Sequence, residues 1–574
     1  MPSRHQAPVT ITANNSPRPV LLLLITAVCF SPVLQGSFTH IDDNAYVFQN
    51  EHVRQGLSFE NIIWALQSIE VSNWHPLTWL SYMLDVELFG VSAEPMHAVN
   101  LLLHLANSLL FFQLLRRFFS ADAAFIAALV FAIHPLHVES VAWISQRKEV
   151  LSYFFLMIAS HAYVSYKQGG QRKHYLASVA AFAAALMAKP MAVSFPVLLI
   201  LIDYWPLNRW PNLKDGRELG TYILEKSPFI AFSVFACAMA LVSHSNAIDV
   251  VVDYSLGERI VIACMAYVEY LKQFIVPLNL AFYYPMPALN PGLMFWISMA
   301  LLLVLTTASI IFARRIPCLF TAWWWYIIAL LPVIGLVKVG GQFVADRYTY
   351  LPLSGILLAL AYAVDRLSFH AEFKQNLPGI AAVLVFAYGL LTYSYVGSWR
   401  DDISTASRAI QATPNNPIAY VVLVRGVEAE VLQAALNQLG GQNDCVSEPV
   451  DVFAGLDSGE LKCLESNAAG TQHGQLLLAT HYLRNFEPER AKAILGEIEV
   501  VPGSALHSPA ALVRIVARTA DNDTEGVVAS INEVLTLPGG AARSLALFLG
   551  LYQVGDVESA NRYLNEGLQL LAAG

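Results

Sequence analysis

Residues 121–143 read ADAAFIAALVFAIHPLHVESVAW, and the fold turns on this stretch. After Asp122 the chain runs apolar to Ile133; His134, His137 and Glu139 then follow within six residues. An unbroken apolar run is read as a membrane helix, here placed at 122–138. Ionisable groups are costly in lipid, so a cluster at the end of a span marks a membrane edge and a candidate site.

Working outward, similar runs lie near 18–37, 95–115, 150–166, 175–188, 191–206, 228–244, 292–313, 317–337, 344–364 and 378–397. Together they predict about eleven transmembrane helices in an all-α, polytopic fold. The first run lacks a small-x-small cleavage site after Ser31-Pro32, so it reads as an uncleaved anchor. The stretch 258–280 carries Glu258, Arg259, Glu269 and Lys272 and reads as interfacial or re-entrant.

Composition agrees. The 574 residues are 56% hydrophobic and 13% charged, against about 25% charged in an ordinary soluble protein. This excludes an enzyme soluble throughout and a disordered chain. With 34 Lys+Arg against 43 Asp+Glu there is no excess of base for nucleic acid. From Arg400 onward the chain holds 21 acidic and 11 basic residues, and the apolar runs stop there too. The expected organisation is a cytoplasmic N-terminus at 1–17, a membrane domain at 18–398 with outer loops at 38–94, 139–149 and 245–291, and a soluble domain at 399–574.

Orientation follows from the basic residues, which favour the cytoplasmic side. Arg116-Arg117, Arg172-Lys173, Arg209 with Lys214 and Arg217, and Arg314-Arg315 fall between spans, whereas 38–94 has eight acidic residues and only Arg54. A cytoplasmic N-terminus satisfies all of them. An odd number of spans then puts the tail outside, in the periplasm or a lumen, where Cys445 and Cys463 can form a disulfide. The tail repeats a pattern. Leu477 to Tyr482 followed by Glu489 to Leu495 resembles Leu545 to Tyr552 followed by Glu558 to Leu564. Helix pairs packed through small residues in this way are a feature of TPR-like solenoids, which bind partners.

Several polar residues at the outer edge need a reason. Asp42-Asp43 right after the first span fit either a general base for a hydroxyl or a helix cap. Asn73 and His75, between Trp74 and Trp79, either line a site or belong to an aromatic belt. His134, His137 and Glu139 are ligand types without a recognised zinc spacing, so a divalent metal is conceivable but not favoured, and a polar substrate site is preferred. Arg147 and Lys148 can hold a phosphate. Lys189-Pro190 joins two spans, and Asp346-Arg347 opens another, with Arg347 suited to a lipid-linked phosphate.

The order Asp42-Asp43, Trp74-His75-Pro76-Leu77-Thr78-Trp79, His134-Pro135-Leu136-His137-Val138-Glu139-Ser140-Val141-Ala142-Trp143, Ala188-Lys189-Pro190, Tyr284-Pro285 and Ala345-Asp346-Arg347-Tyr348-Thr349-Tyr350-Leu351-Pro352 resembles the bacterial relatives of the transmembrane and TPR-repeat-containing (TMTC) O-mannosyltransferases. These are members of the GT-C glycosyltransferase superfamily. The resemblance covers about residues 20–425, including Thr413-Pro414-Asn415-Asn416-Pro417; the rest of the tail departs from regular repeats around 440–470. It implies a multi-pass protein of a bacterial inner membrane with its active site on the periplasmic side. It implies a polyprenyl-phosphate sugar donor and a protein Ser/Thr hydroxyl as acceptor, which the TPR-like domain docks. Asp42 or Asp43 would be the base, and Glu139 a second carboxylate. Arg147, Lys148, Lys189 and Arg347 would hold the donor phosphate. Rival readings are a non-catalytic TPR scaffold, a transporter, and an enzyme of the same fold that modifies a lipid or surface glycan.

Overall fold

Runs of Leu, Ala, Ile and Phe without polar breaks satisfy every backbone group internally only as helices. The computed structural model describes residues 17–211, 215–244, 254–287, 292–336, 341–414, 416–439, 458–467, 471–484, 487–496, 498, 504, 507–521, 523–554 and 556–573. Regular structure is helical throughout, with no strand among the described residues. Of the N-terminal segment expected at 1–17, residues 1–16 lie outside them.

Five helices among the described residues are long and apolar enough to cross a membrane: Arg18–Gln35, Ala93–Leu115, Gly216–Ser243, Leu293–Ile311 and Ala371–Gly397. A sixth arises if Ala121–Ile133 and Pro135–Ala142, bent by 53°, count as one broken span. This is a smaller number than the eleven read from the sequence. The stretches expected at 175–188, 317–337 and 344–364 do fold as helices, but Arg172–Ala188, Pro317–Leu330 and Leu353–Leu367 have 17, 14 and 15 residues. Simple spans need roughly 20 residues. Of the stretch 258–280, residues 258–275 lie in one 20-residue helix, Leu256–Ile275, opened by a Ser255–Glu258 capping box, and 276–280 are not helical.

Contacts divide the chain into two units: Met1–Ser37, Ala45–Arg400 and Arg408–Asn416 form one; Phe38–Asn44, Asp401–Ser407 and Pro417–Gly574 form the other. In the first, Ala121–Ile133 is the core helix, with every residue from Ala123 to Ile133 buried. Ser120 caps its start by accepting from the Ala123 amide. By contrast, Leu293–Ile311 buries only Ser298 and Ser309. Its Leu303, Val304 and Ile311 are mostly exposed. A helix with serines inward and branched aliphatics outward is matched to lipid rather than water. The chain is an integral membrane protein.

Where Arg147–Lys167 ends, it is tied to Phe195–Tyr204 and Gly216–His244 by buried charges. Lys226 reaches Asp203 at 2.7 Å and the Tyr163 hydroxyl at 2.5 Å, and Lys167 pairs with Glu225. Each cation has a carboxylate partner, which a buried charge requires.

The second unit consists of helices in packed neighbours. Gln472–Arg484 is followed by Pro488–Gly496, and Ala541–Gln553 by Val557–Ala573, as the internal similarity suggested. Small residues set the close approach. A Cβ on Gly567 would stand 2.7 Å from Leu545, and one on Gly550 2.7 Å from Ile531. In the same unit His40 donates its amide to Asp402 at 2.8 Å, and its Nδ1 lies 2.6 Å from that carboxylate. Cys463 is disulfide-bonded; Cys445 lies outside the described residues.

Candidate active site

The core helix stops at His134 because Pro135 cannot continue the hydrogen-bond ladder. The chain turns through Pro135–His137 and re-enters a short helix, Val138–Ala142, which carries Glu139 inward. Glu139 is fully buried. One of its oxygens accepts the Arg347 amide at 2.8 Å, and the other takes the Arg347 guanidinium. Backbone and side chain of one residue thus clamp one carboxylate across 208 positions of sequence. The guanidinium lies 5.4 Å over the Trp143 ring and 5.0 Å over Tyr348. Trp143 in turn stacks on Trp399 with 5.8 Å between ring centroids.

Lys189 meets this pair from another side. It sits in extended backbone between Arg172–Ala188 and the Pro190–Ser194 turn. Its ammonium pairs with Glu149 and lies 5.5 Å from the Tyr348 ring. Its charge also acts on Glu139 and on His75. Asp346 is fully buried beside Arg347 and accepts the Tyr284 hydroxyl at 2.8 Å and the Tyr395 hydroxyl at 3.2 Å. Tyr284 itself accepts the Ala281 amide at 2.9 Å.

His75 completes the cluster. It is 1% exposed and lies in an aromatic stack, 4.8 Å from Trp79 and 5.3 Å from Tyr46. Neither ring nitrogen has a hydrogen-bond partner among the described residues. Burial, then the charges of Lys148 and Lys189, hold its pKa well below the usual histidine value. The imidazole is therefore neutral, with one donor and one acceptor unspent. Lys148 donates to the Tyr46 hydroxyl at 2.9 Å and lies 4.2 Å over that ring. Just before His75, Val71 and Ser72 both hold positive φ, 53° and 56°. Left-handed backbone at such residues costs about 1–3 kcal/mol each and persists where the surroundings demand it.

The structure thus brings His75, Glu139, Lys148, Lys189, Asp346 and Arg347 into one neighbourhood. Other sequence-predicted residues are occupied elsewhere. Arg147 is fully buried; it pairs with Asp85 and donates to Asn100 Oδ1 and the Met96 carbonyl, each at 2.8 Å. His134 donates Nε2 to the Phe274 carbonyl at 2.9 Å and accepts the Leu136 amide at Nδ1. His137 donates Nδ1 to the Phe131 carbonyl at 2.7 Å, while its buried Nε2 has no hydrogen-bond partner among the described residues. Asn73 donates to the Val71 carbonyl at 2.8 Å. Asp42 and Asp43 fall in the other unit. There Asp43 is buried and accepts the Thr39 amide and hydroxyl, both at 3.0 Å. No three His, Cys, Asp or Glu side chains converge as metal ligands among the described residues.

Comparison with known proteins addresses the same segments. The family described as dolichyl-phosphate-mannose-protein mannosyltransferase matches residues 76–215. A protein O-mannosyl-transferase of Caenorhabditis elegans is 24% identical over 414 residues, 69% of this chain and 58% of that protein. The protein O-mannosyl-transferase TMTC1 of Homo sapiens is 32% identical over 153 residues, 25% of this chain and 17% of that protein. The protein O-mannosyl-transferase TMTC4 of Homo sapiens is 22% identical over 457 residues, 68% of this chain and 61% of that protein. Over these parts the chain is similar to protein O-mannosyl-transferases, the TMTC proteins among them. It spans less than two thirds of the length of these proteins. The family match takes in Glu139, Lys148 and Lys189, while Asp42, Asp43, Asp346 and Arg347 lie outside it.

Sequence reading missed Glu149, Tyr46, Tyr348 and Tyr395 as parts of this cluster. Glu149 was visible as a third charge after Arg147-Lys148. Tyr395 sits inside an apolar run, where a lone hydroxyl gives no signal.

Proposed function

We propose that this TMTC-like chain is a glycosyltransferase. It would move a sugar from a polyprenyl-phosphate carrier to a hydroxyl, on Ser or Thr of an exported protein, at the periplasmic face of a bacterial inner membrane. The observation that carries the reading is the clustering of Arg347, Lys189 and Lys148 with two buried carboxylates and the unspent imidazole of His75, at the end of an apolar core helix.

Chemically, a glycosyl phosphate brings its own leaving group. Its departure needs preorganised positive charge more than a general acid. Arg347 and Lys189 are held by Glu139 and Glu149, so they need no reorganisation when charge develops on the phosphate. Neutral His75 can give one hydrogen bond to a phosphate or sugar oxygen without an added charge to desolvate. Asp42 or Asp43 is proposed to deprotonate the acceptor, with oxocarbenium character at the anomeric carbon. One base and in-line attack give inversion. The helix pairs of the second unit support a TPR-like docking surface for the acceptor.

The test is transfer from a synthetic polyprenyl-phosphate sugar to a Ser/Thr peptide by the purified full chain. Wild type transfers and Lys189→Met is slowed. Equal rates, or no transfer to any hydroxyl acceptor, would overturn the proposal.

A further inference from the structure

The first unit holds a groove remote from Glu139. It has a volume of about 780 Å³, within the ~300–1,000 Å³ usual for ligand clefts. Its walls come from the helices Arg18–Phe30, Ala121–Ile133 and Ala371–Gly397. Its rim and floor differ in kind. The rim is Arg18, Asp122 and Lys374, each within the first turn of its helix. The floor is apolar, running down to Leu129 on one helix and Phe386 on another.

Length selects the class of ligand. Lys374 to Phe386 spans about 18 Å at 1.5 Å per residue. One leaflet of hydrocarbon is about 15 Å deep, half of a ~30 Å core. The groove is therefore about one acyl chain long, with its charged end where a headgroup lies.

Charge selects the headgroup. Arg18 spends its guanidinium on Asp122, at 2.6 Å and 3.2 Å, so those two charges cancel. Lys374 is exposed and makes no ion pair among the described residues, so the charged side chains lining the groove sum to one positive charge. Outside the lining, Glu372 shares the first turn of the same helix and Asp365 accepts the Ser120 amide at 3.0 Å. Three helix N-termini add their partial positive charges there. Two of them, after Pro17 and His370, have no side-chain cap, though Pro19 leaves the first of these one amide fewer to offer. Phosphate is the group that such termini take.

Position separates this groove from the reaction. The rim lies at the start of Ala121–Ile133, whereas Glu139 follows its end. Asp122 to Ile133 alone is about 17 Å along the axis. The groove thus opens at the opposite end of that helix from the turn that carries Glu139.

We infer that the groove formed by the helices Arg18–Phe30, Ala121–Ile133 and Ala371–Gly397 is a structural site for an anionic glycerophospholipid, its acyl chain on the apolar floor and its phosphate at Lys374. The occupant is a component of the membrane and not the sugar donor.

The test is native mass spectrometry of the detergent-solubilised full chain, titrated with phosphatidylglycerol and with phosphatidylcholine of the same acyl chains. Phosphatidylglycerol should bind about fivefold tighter, the worth of one cation at a membrane surface. Lys374→Glu should abolish that preference, and Ala381→Trp, which fills the floor, should weaken both lipids. Equal affinity of the two lipids in wild type would overturn the inference, as would a preference that survives Lys374→Glu. So would displacement of phosphatidylglycerol by polyprenyl phosphate, which would make the groove a donor site. Lys374 is at the surface, so its variant reports even if Ala381→Trp fails to fold.

Discussion

The Glu139–Arg347 pair lends itself to a double-mutant cycle. Glu139 is 0% exposed and Arg347 14%, so each charge depends on the other. Breaking a buried pair by removing one partner costs about 3–5 kcal/mol, because the survivor stays desolvated. Arg347→Met leaves Glu139 with only the amide bond and the field of Lys189, so it should fall at the upper end. Glu139→Gln leaves a guanidinium that is partly exposed and still rests on Trp143 and Tyr348, so it should fall at the lower end. Removing both should cost less than the sum by about 1–3 kcal/mol. By the usual conversion, Arg347→Met should lower the Tm of the detergent-solubilised chain by on the order of 10 °C. Its transfer rate should fall about 10²–10³-fold, as for loss of one preorganised charge stabiliser. The assays are tryptophan-fluorescence melting and peptide glycosylation on the same preparations. A wild-type Tm in Arg347→Met, or strictly additive losses in the double variant, would refute the mutual dependence.

Further outcomes are equally direct. If either aspartate is the base, Asp42→Asn or Asp43→Asn loses about 10²–10⁴-fold in rate; full transfer activity in both would remove the base from this pair. His75 has a depressed folded pKa, so the stability it contributes is present above the ordinary histidine value and is lost as pH falls toward its folded pKa. Melting curves should show His75→Gln losing less Tm than wild type on acidification below about pH 6.5; parallel curves would contradict this. Cys463 should resist maleimide in unfolded protein made without reductant and react after reduction. Gly550→Leu forces a side chain against Ile531 and Ile515 and should destabilise the second unit by about 1–3 kcal/mol, read as an earlier melting phase.

Much of this was legible in the sequence, for reasons that differ by feature. Apolar runs announce helices because period and polarity are local properties, and the break in the core helix at His134 was visible for the same reason. The eleven apolar runs correspond to five or six helices of spanning length among the described residues, because apolarity does not measure helix length: Pro317–Leu330 and Leu353–Leu367 have 14 and 15 residues. Pairings were not legible. Arg147 looked like a phosphate ligand until Asp85, 62 residues away, claimed it. Arg347 and Glu139 were each marked, but nothing local joins two residues 208 apart. His134 and His137 looked like ligands because burial of an imidazole against a backbone carbonyl leaves no trace in spacing.

The clustered cations matter only if they serve transfer of a lipid-borne sugar to protein. Intact-mass comparison of exported proteins from cells carrying wild type or Lys189→Met, at matched expression, tests this most directly. A sugar-sized increment on at least one protein should be present with wild type and lost or strongly reduced with the variant. Identical mass spectra in both would contradict the proposed chemistry.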